Sequence, residues 1–436
     1  MNLYAFTVPE KPGWLKIGQT NGNVHDRIRQ QLSTVHLEYN IVWTGTGLIG
    51  KREITDRDIH RLLEQRGFKR EDRSEWFQCF PEDAEDALNS LKEQYRREDR
   101  RKELSDRFYE ELRNWYFWAN AEAGHPEYTV RIIIRLLFLF FLREKEIVPD
   151  ELFRETWIDE NLKENEFRYY KAVLCNLFFH ALNAPAERRN EWENKNLMKQ
   201  PVKVKEQLNK IPFLNGGIFL EHPGDDFALN DDYFFSETRT RMLEELGGNY
   251  PVKGIIRILS GYKYTLDESD GTELIDPEFI GRMFESLLAC IDADSKENRR
   301  KITGSYYTPR EIVDYMVREC LDYSITNSGA QDEEQKIQTL LSLKIFDPAC
   351  GSGAFPCAVM NELMRRLDPE KTLPQTERYK RKLEILRNVI YGADIQPMAV
   401  QITVLRLFLS LVQEIRPTKS LKDNFGIEPL PNLDYK

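Results

Sequence analysis

Hydrophobic positions follow different patterns in successive stretches of the chain. From residue 1 to about 92, short apolar runs alternate with polar residues and turn signals. Leu3-Tyr4-Ala5-Phe6 and Trp14-Leu15-Lys16-Ile17-Gly18 flank a turn holding Pro9, Pro12 and Gly13, which predicts a hairpin. A third strand is expected over Ile41 to Thr44, with helices carrying Arg27 and Leu32, from Asp56 to the closing Gly67, and from Pro81 to Leu91. Lys92 to Arg107 is dense in mixed charge, the pattern of an exposed linking helix. Aromatic and aliphatic residues then recur at helical intervals (Phe108, Leu112, Trp115, Trp118, and later Phe167, Leu174, Phe178, Leu182). Such stripes predict a bundle core rather than a base-stacking surface. The most apolar run, Val130 to Leu142, is too short to span a bilayer and contains Arg131 and Arg135, so it reads as a buried core helix.

The last third has a different rhythm. An apolar run (Leu341, Leu343, Ile345, Phe346) ends in Asp347, passes through Gly351 and Gly353, and enters an amphipathic stretch marked by Phe355, Val359, Leu363 and Leu367. That order predicts strand, tight turn and helix, the opening of a parallel α/β unit. About forty residues on, Asn388 to Ile395 reads as a second strand ending in an acid, Asp394, before a helix from Met398 to Val412. The chain therefore divides into four parts. These are an α+β domain over 1–92, an all-α helical connector over 93–245, a helical lead-in over 246–300, and a partial α/β Rossmann-like domain with an incomplete sheet over 301–436.

Composition narrows this picture. The 436 residues are 41% hydrophobic and 31% charged, as in globular proteins. A net charge of −10 argues against a uniformly basic nucleic-acid coat but leaves room for a local basic groove. Residues 1–74 in fact carry 12 Lys and Arg against 9 Asp and Glu. Six cysteines without CxxC pairs or metal spacing suggest a reducing cytoplasm, and the N-terminus shows no signal peptide and the chain no membrane span.

Gly351 and Gly353 lack Cβ atoms, so a ligand can approach the backbone where helix amides point outward. Neither GxxxxGK[ST] nor GxGxxG is present, which sets aside two phosphate-binding readings. A ligand with a carboxylate and an amino group fits better, the amides taking the carboxylate and Asp347 the ammonium. The stretch DPACGSG from Asp347 to Gly353 resembles motif I of S-adenosylmethionine-dependent DNA methyltransferases, in the form typical of N6-adenine enzymes. Thr303 to Pro309 (TGSYYTP) is similar to their motif X. The resemblance implies a cofactor site built from Asp347, Ala349, Cys350, Gly351, Gly353 and Phe355 in and after the turn. It adds Tyr307, Thr308 and Pro309 over the methionine end, Asp394 on the ribose hydroxyls, and Ile395 against the adenine.

The N-terminal stretch resembles GIY-YIG nucleases, in the branch with KIG in place of YIG. Leu3-Tyr4-Ala5 stands where the GIY triplet would be, and Asn89 is the counterpart of a late asparagine. The resemblance implies catalytic roles for Tyr4, Lys16, Arg27, His60 and Glu75. Glu75 would be an oxygen ligand for Mg2+ or Mn2+, and Arg27 would stabilise phosphate charge. Tyr4, Lys16 and His60 are alternative general bases. Leu214-Asn215-Gly216-Gly217 resembles a segment that precedes the methylase in type IIG restriction enzymes, and Phe284 to Leu288 strengthens that likeness while reading locally as a docking helix.

These resemblances imply a restriction–modification (anti-phage) protein acting on double-stranded DNA. The [N/D]PP[Y/F/W] loop that holds a flipped adenine has no counterpart, since no Pro-Pro dipeptide occurs. Two strands with one helix each leave sheet faces and an edge uncovered. The expectation is a piece of a longer type IIG enzyme, or half of a split enzyme whose second chain supplies the remaining strands. On either version this chain alone transfers no methyl group. A non-catalytic scaffold binding DNA and S-adenosylmethionine is the alternative.

Overall fold

The computed structural model describes every residue except 34–36, 73, 190–191, 216, 223, 268–272, 293–307, 417–421 and 434–436. Two compact units emerge, Met1–Leu104 and Ser105–Lys436.

In the first unit, β1 (Asn2–Thr7), β2 (Leu15–Thr20), β3 (Asn40–Thr46), β4 (Lys69–Arg70) and β5 (Trp76–Gln78) form one sheet in the order β3-β1-β2-β5-β4. The hairpin register pairs Tyr4 with Gly18 and Phe6 with Lys16. Alternation along each strand then sorts side chains to two faces. Leu3, Ala5, Leu15, Ile17 and Phe77 pack against α2 (Asp56–Gln65) and the start of α3. Tyr4, Phe6 and Trp76 pack on the other face with Ile28 and Leu32 of α1 (Val24–Leu32). Both helices begin at side-chain caps, Asn23 for α1 and a Thr55–Asp58 capping box for α2.

The helix expected over Pro81–Leu91 and the charged linker after it are a single helix, α3 (Pro81–Ala123). Nothing in the charged stretch breaks a helix. The stop comes at Gly124, whose φ of +64° is left-handed, with Pro126 opening the next helix. That helix, α4 (Pro126–Glu144), is buried from Tyr128 to Leu142. Its two arginines are buried because Asp225 accepts from both, Arg131 at 3.1 Å and Arg135 at 2.8 Å.

The connector departs from an all-helical bundle. Residues Tyr169–Leu174 and Asn176–Ala181 form wide π-type turns, and a hairpin of β6 (Arg239–Leu243) and β7 (Gly248–Val252) follows. Gly247, at φ +67°, allows that hairpin to close, a turn that a search for helical stripes passes over. Asn215 forms a parallel bridge with Leu430, and Asn424 exchanges side-chain hydrogen bonds with both backbone groups of Phe213. Residues 213–215 thus anchor residues near 424–430.

The last elements are α5 (Pro277–Asp292), α6 (Arg310–Ser328), α7 (Glu333–Ser342), β8 (Ile345–Asp347), α8 (Ala354–Leu367), α9 (Gln375–Asn388), β9 (Ile390–Gly392) and α10 (Pro397–Gln413). Asp276 caps α5 through the Phe279 amide. Leu341 belongs to α7 and not to the strand expected there, and Asn388 ends α9 and is not in the second strand. Both strands are three residues long, because they pair only with each other among the described residues. No helix of the described residues is long and apolar enough to cross a membrane. All six cysteines are free thiols.

Candidate functional site

In the second unit β8 and β9 are parallel neighbours, with Asp347 opposite Gly392. Their C-terminal ends therefore bring Asp347 and Asp394 to one place. The loops that follow are tied together: the Ala393 amide donates to the Asp347 carbonyl, and the Cys350 amide to the Ala393 carbonyl. Asp394 accepts from the Gly351 amide at 2.9 Å and from the Gln396 amide at 2.8 Å. A carboxylate has about four acceptor positions, so two remain for a diol.

Between the acids, the turn needs its glycines. Gly351 and Gly353 have φ of +53° and +87°. A Cβ on Gly353 would stand 2.9 Å from the Thr403 hydroxyl oxygen, so here both backbone conformation and space exclude a side chain. The other side of the turn is braced by Thr403 and Arg406, which no motif marked, and by Glu285. Thr403 on α10 donates to the Gly351 carbonyl at 2.8 Å, and Arg406 to the Ser352 carbonyl at 2.7 Å. Ser352 donates its hydroxyl to Glu285 of α5 at 2.6 Å. Their only sequence signals were a threonine and an arginine on the inner stripe of an apolar helix.

Asp347 carries the most informative atom. One carboxylate oxygen accepts from the Ala349 amide, while Oδ2 is buried with no hydrogen-bond partner among the described residues. Burial raises its pKa, the Ala349 amide opposing this and Asp394 adding to it. A cationic donor at Oδ2 would satisfy that oxygen, and the α-ammonium of an amino-acid ligand has the required charge and size. Cys350 is buried, its thiol pushed up to about 11 by that burial, and its amide and carbonyl are bonded to Ala393 and Gly353, so it shapes the turn from within. Phe355 sits half-buried in the first turn of α8, and Ile395 is 84% exposed beside Asp394. Thr308 and Pro309 lead into α6, while Tyr307 lies outside the described residues.

In the first unit, Tyr4, Lys16, Arg27 and Glu75 lie together on the α1 side of the sheet. Tyr4 is fully buried; burial raises its pKa, and a hydrogen bond from Arg27 opposes that. The Lys16 ammonium is 3.6 Å from the Glu75 carboxylate. His60 approaches from the other side: its ring packs on Phe77, and Nε2 donates to the Ile17 carbonyl at 3.0 Å. It is buried and its pKa is lowered, chiefly by that burial. The Ile17 amide in turn donates to the Glu75 carbonyl, so His60 is linked to Glu75 through β2. Asp56, which sequence reasoning did not single out, is nearly buried and electrostatically coupled to His60, Glu75 and Tyr4; burial raises its pKa. Asn89 is an exposed residue of α3. Among the described residues no three His, Cys, Asp or Glu side chains form a ready metal cage.

Residues 276–427, which hold the glycine turn and both acids, match the family described as N-6 DNA Methylase. Residues 1–92 match the T5orf172 domain. The chain is 29% identical over 352 residues to a candidate type II restriction enzyme and methyltransferase of Methanocaldococcus jannaschii, covering 72% of this chain and 27% of that protein. It is 24% identical over 286 residues to DNA methyltransferase A of Bacillus subtilis, covering 64% of this chain and 27% of that one. The chain thus spans about a quarter of the length of these curated relatives. A solved structure of the type IIL restriction–modification enzyme MmeI in complex with DNA aligns at a TM-score of 0.44 and 17% identity, over 76% of this chain and 39% of that one. The chain is thus similar in sequence to restriction–modification and DNA methyltransferase proteins, with residues 276–427 matching the N-6 DNA Methylase family.

Proposed function

We propose that this protein is a restriction–modification enzyme that joins a metal-dependent endonuclease of GIY-YIG type to the cofactor-binding part of an adenine-N6 DNA methyltransferase. The observation that carries the cofactor half is the buried Asp347 oxygen, without a partner among the described residues, at the end of β8 beside the strand whose loop carries Asp394. Asp347 would take the ammonium of S-adenosylmethionine, and the first amides of α8 its carboxylate. Asp394 would take the ribose hydroxyls and Ile395 the adenine, with Tyr307, Thr308 and Pro309 closing the methionine end. Once bound, the cofactor supplies an electrophilic methyl group on sulfonium. Isothermal calorimetry with S-adenosylmethionine tests this reading, and a folded chain giving no binding heat sinks it.

Transfer of that methyl to adenine also requires a base-holding loop. Exposed apolar side chains beside a two-stranded sheet support pairing with further strands, from the same polypeptide or from a second chain. Tyr315 and Tyr323 on α6 and Phe346 on β8 are 58%, 73% and 60% exposed. We propose that these side chains are covered in the working methylase.

For the nuclease half, Glu75 would supply an oxygen ligand to Mg2+ or Mn2+ and Arg27 would neutralise the scissile phosphate of double-stranded DNA. The metal would contribute Lewis-acid charge stabilisation. Tyr4 and Lys16 reach the same face as Glu75, which favours them over His60 as the proton acceptor. His60 would instead hold β2 in register. Metal-dependent plasmid nicking that disappears in Glu75→Ala is the expected result; equal nicking by that variant removes the assigned role. One observation favours a second reading, a non-catalytic scaffold binding DNA and S-adenosylmethionine: the Lys16 ammonium already occupies the cation position beside Glu75. Absence of nicking with either metal would support it.

A further inference from the structure

The segment Phe284 to Leu288, which in sequence adds to the type IIG likeness and reads locally as a docking helix, places a carboxylate directly behind the cofactor turn. We infer that Glu285 is a positioning residue for cofactor binding, acting through Ser352; the inference rests on the S-adenosylmethionine reading of that turn.

Ser352 lies between the two left-handed glycines and is 1% exposed. Its position matters because it sits between the Gly351 amide, which donates to Asp394, and the Gly353 amide, which donates to the Cys350 carbonyl, so moving it would disturb the tie that holds Asp394 in the site. Three contacts hold it. The Ser352 hydroxyl donates to Glu285 at 2.6 Å, and the Ser352 amide donates to the same carboxylate. The Ser352 carbonyl accepts from Arg406. Glu285 thus receives both donors of one residue, a two-point hold that fixes orientation as well as place. The approach is close on the neighbouring side as well. A Cβ on Gly281, one turn before Glu285, would stand 2.6 Å from the Arg406 guanidinium, so α5 and α10 clamp the turn between them.

A carboxylate in this position is costly for stability. Glu285 is largely buried, and burial raises its pKa against the opposing effects of Ser352 and Arg406. Joining α5 to the α/β core required no charge, since Phe284 and Leu287 are already fully buried there. What a glutamate adds is an acceptor pair matched to the N–H and O–H of Ser352.

The test measures S-adenosylmethionine affinity by calorimetry and melting temperature separately, on the full chain. Glu285→Ala should bind the cofactor about ten- to hundred-fold more weakly, the effect of losing hydrogen bonds to a buried charged group. Glu285→Gln, which keeps one acceptor oxygen, should recover part of the affinity. The losses in Glu285→Ala and Ser352→Ala should not add in the double variant, because both remove the same bond. Glu414→Gln is the control: it breaks the buried pairs with Lys382 and Arg378, so it should lower the melting temperature while cofactor affinity stays within about twofold. An affinity in Glu285→Ala within twofold of the unmodified chain, or falling no further than in Glu414→Gln, overturns the inference. If Asp394→Ala abolishes binding in the same series, the cofactor reading stands and only the role of Glu285 is lost. If the unmodified, folded chain gives no binding heat, both fall together.

Discussion

Replacing Asp394 tests the cofactor site most directly, because in the free protein this residue already holds the turn. Its two oxygens accept from the Gly351 and Gln396 amides at 2.9 and 2.8 Å. Hydrogen bonds to a charged acceptor contribute about 1.5–3 kcal/mol each. Asp394 is half-exposed, so the lower end applies and Asp394→Ala should cost the unit about 3 kcal/mol without any ligand. At roughly 2–4 °C per kcal/mol for a large domain, the melting temperature should fall by about 6–12 °C. Binding should suffer separately, since the ribose hydroxyls lose their anionic acceptor: one such bond corresponds to about 10- to 150-fold in Kd. Asp394→Asn separates the two effects. Its single carbonyl oxygen can serve one loop amide but repels the second with its own N–H groups, so stability should return in part while cofactor affinity stays low. Calorimetry and thermal denaturation on the same preparations give both numbers. If Asp394→Ala folds and binds S-adenosylmethionine with unchanged affinity, or if Asp394→Asn restores affinity in step with stability, Asp394 is only a loop tie and the ribose assignment is wrong.

Other outcomes follow from the same geometry. Burial raises the Asp347 pKa, so the anion that an ammonium ligand needs is lost as pH falls through a range above that of an ordinary carboxylate. Cofactor affinity should drop on mild acidification, and Asp347→Asn should bind weakly with a flat pH profile; the contribution of this group to folding runs the other way, improving as the proton binds. His60 is held neutral by burial, so the first unit should lose stability as pH falls below the free-histidine value of 6.5, a dependence that His60→Gln should remove in a pH series of melting curves. Gly353→Ala forces a side chain into a left-handed conformation and against Thr403, and should weaken cofactor binding by tenfold or more, about 1–2 kcal/mol coming from the backbone alone. Asp225→Asn leaves Arg131 and Arg135 buried beside a neutral partner and should cost about 3–5 kcal/mol in chemical denaturation.

The sequence by itself determined the parts of this protein whose chemistry is local. Alternating residues in Leu3–Phe6 and Leu15–Ile17 specify a two-faced hairpin, and two glycines flanked by a strand-ending acid and an amphipathic run specify a turn that a ligand can approach. Asn23 and Thr55 mark where helices start, because caps act within three residues. Where strands and helices end was less legible: Leu341 has the same apolar character in a helix as in a strand, and only its neighbours chose the helix. The hairpin at Gly247 was hidden for another reason: its strands hold one buried residue each, so no apolar alternation marks them.

What only the tertiary structure decided are relations between residues far apart in the chain. Asp347 and Asp394 share a site because β8 and β9 are parallel neighbours, a pairing that no spacing encodes. Glu285, Thr403 and Arg406 come from two helices, one before and one after the turn they brace, and nothing within either segment says that they meet there. His60 faces the backbone of β2 while Tyr4 and Lys16 face α1, because a sheet has two sides and the helices carrying its partners pack on different ones. Periodicity and motifs act over a few residues of chain, whereas a binding site is made by contacts that close only when those segments pack.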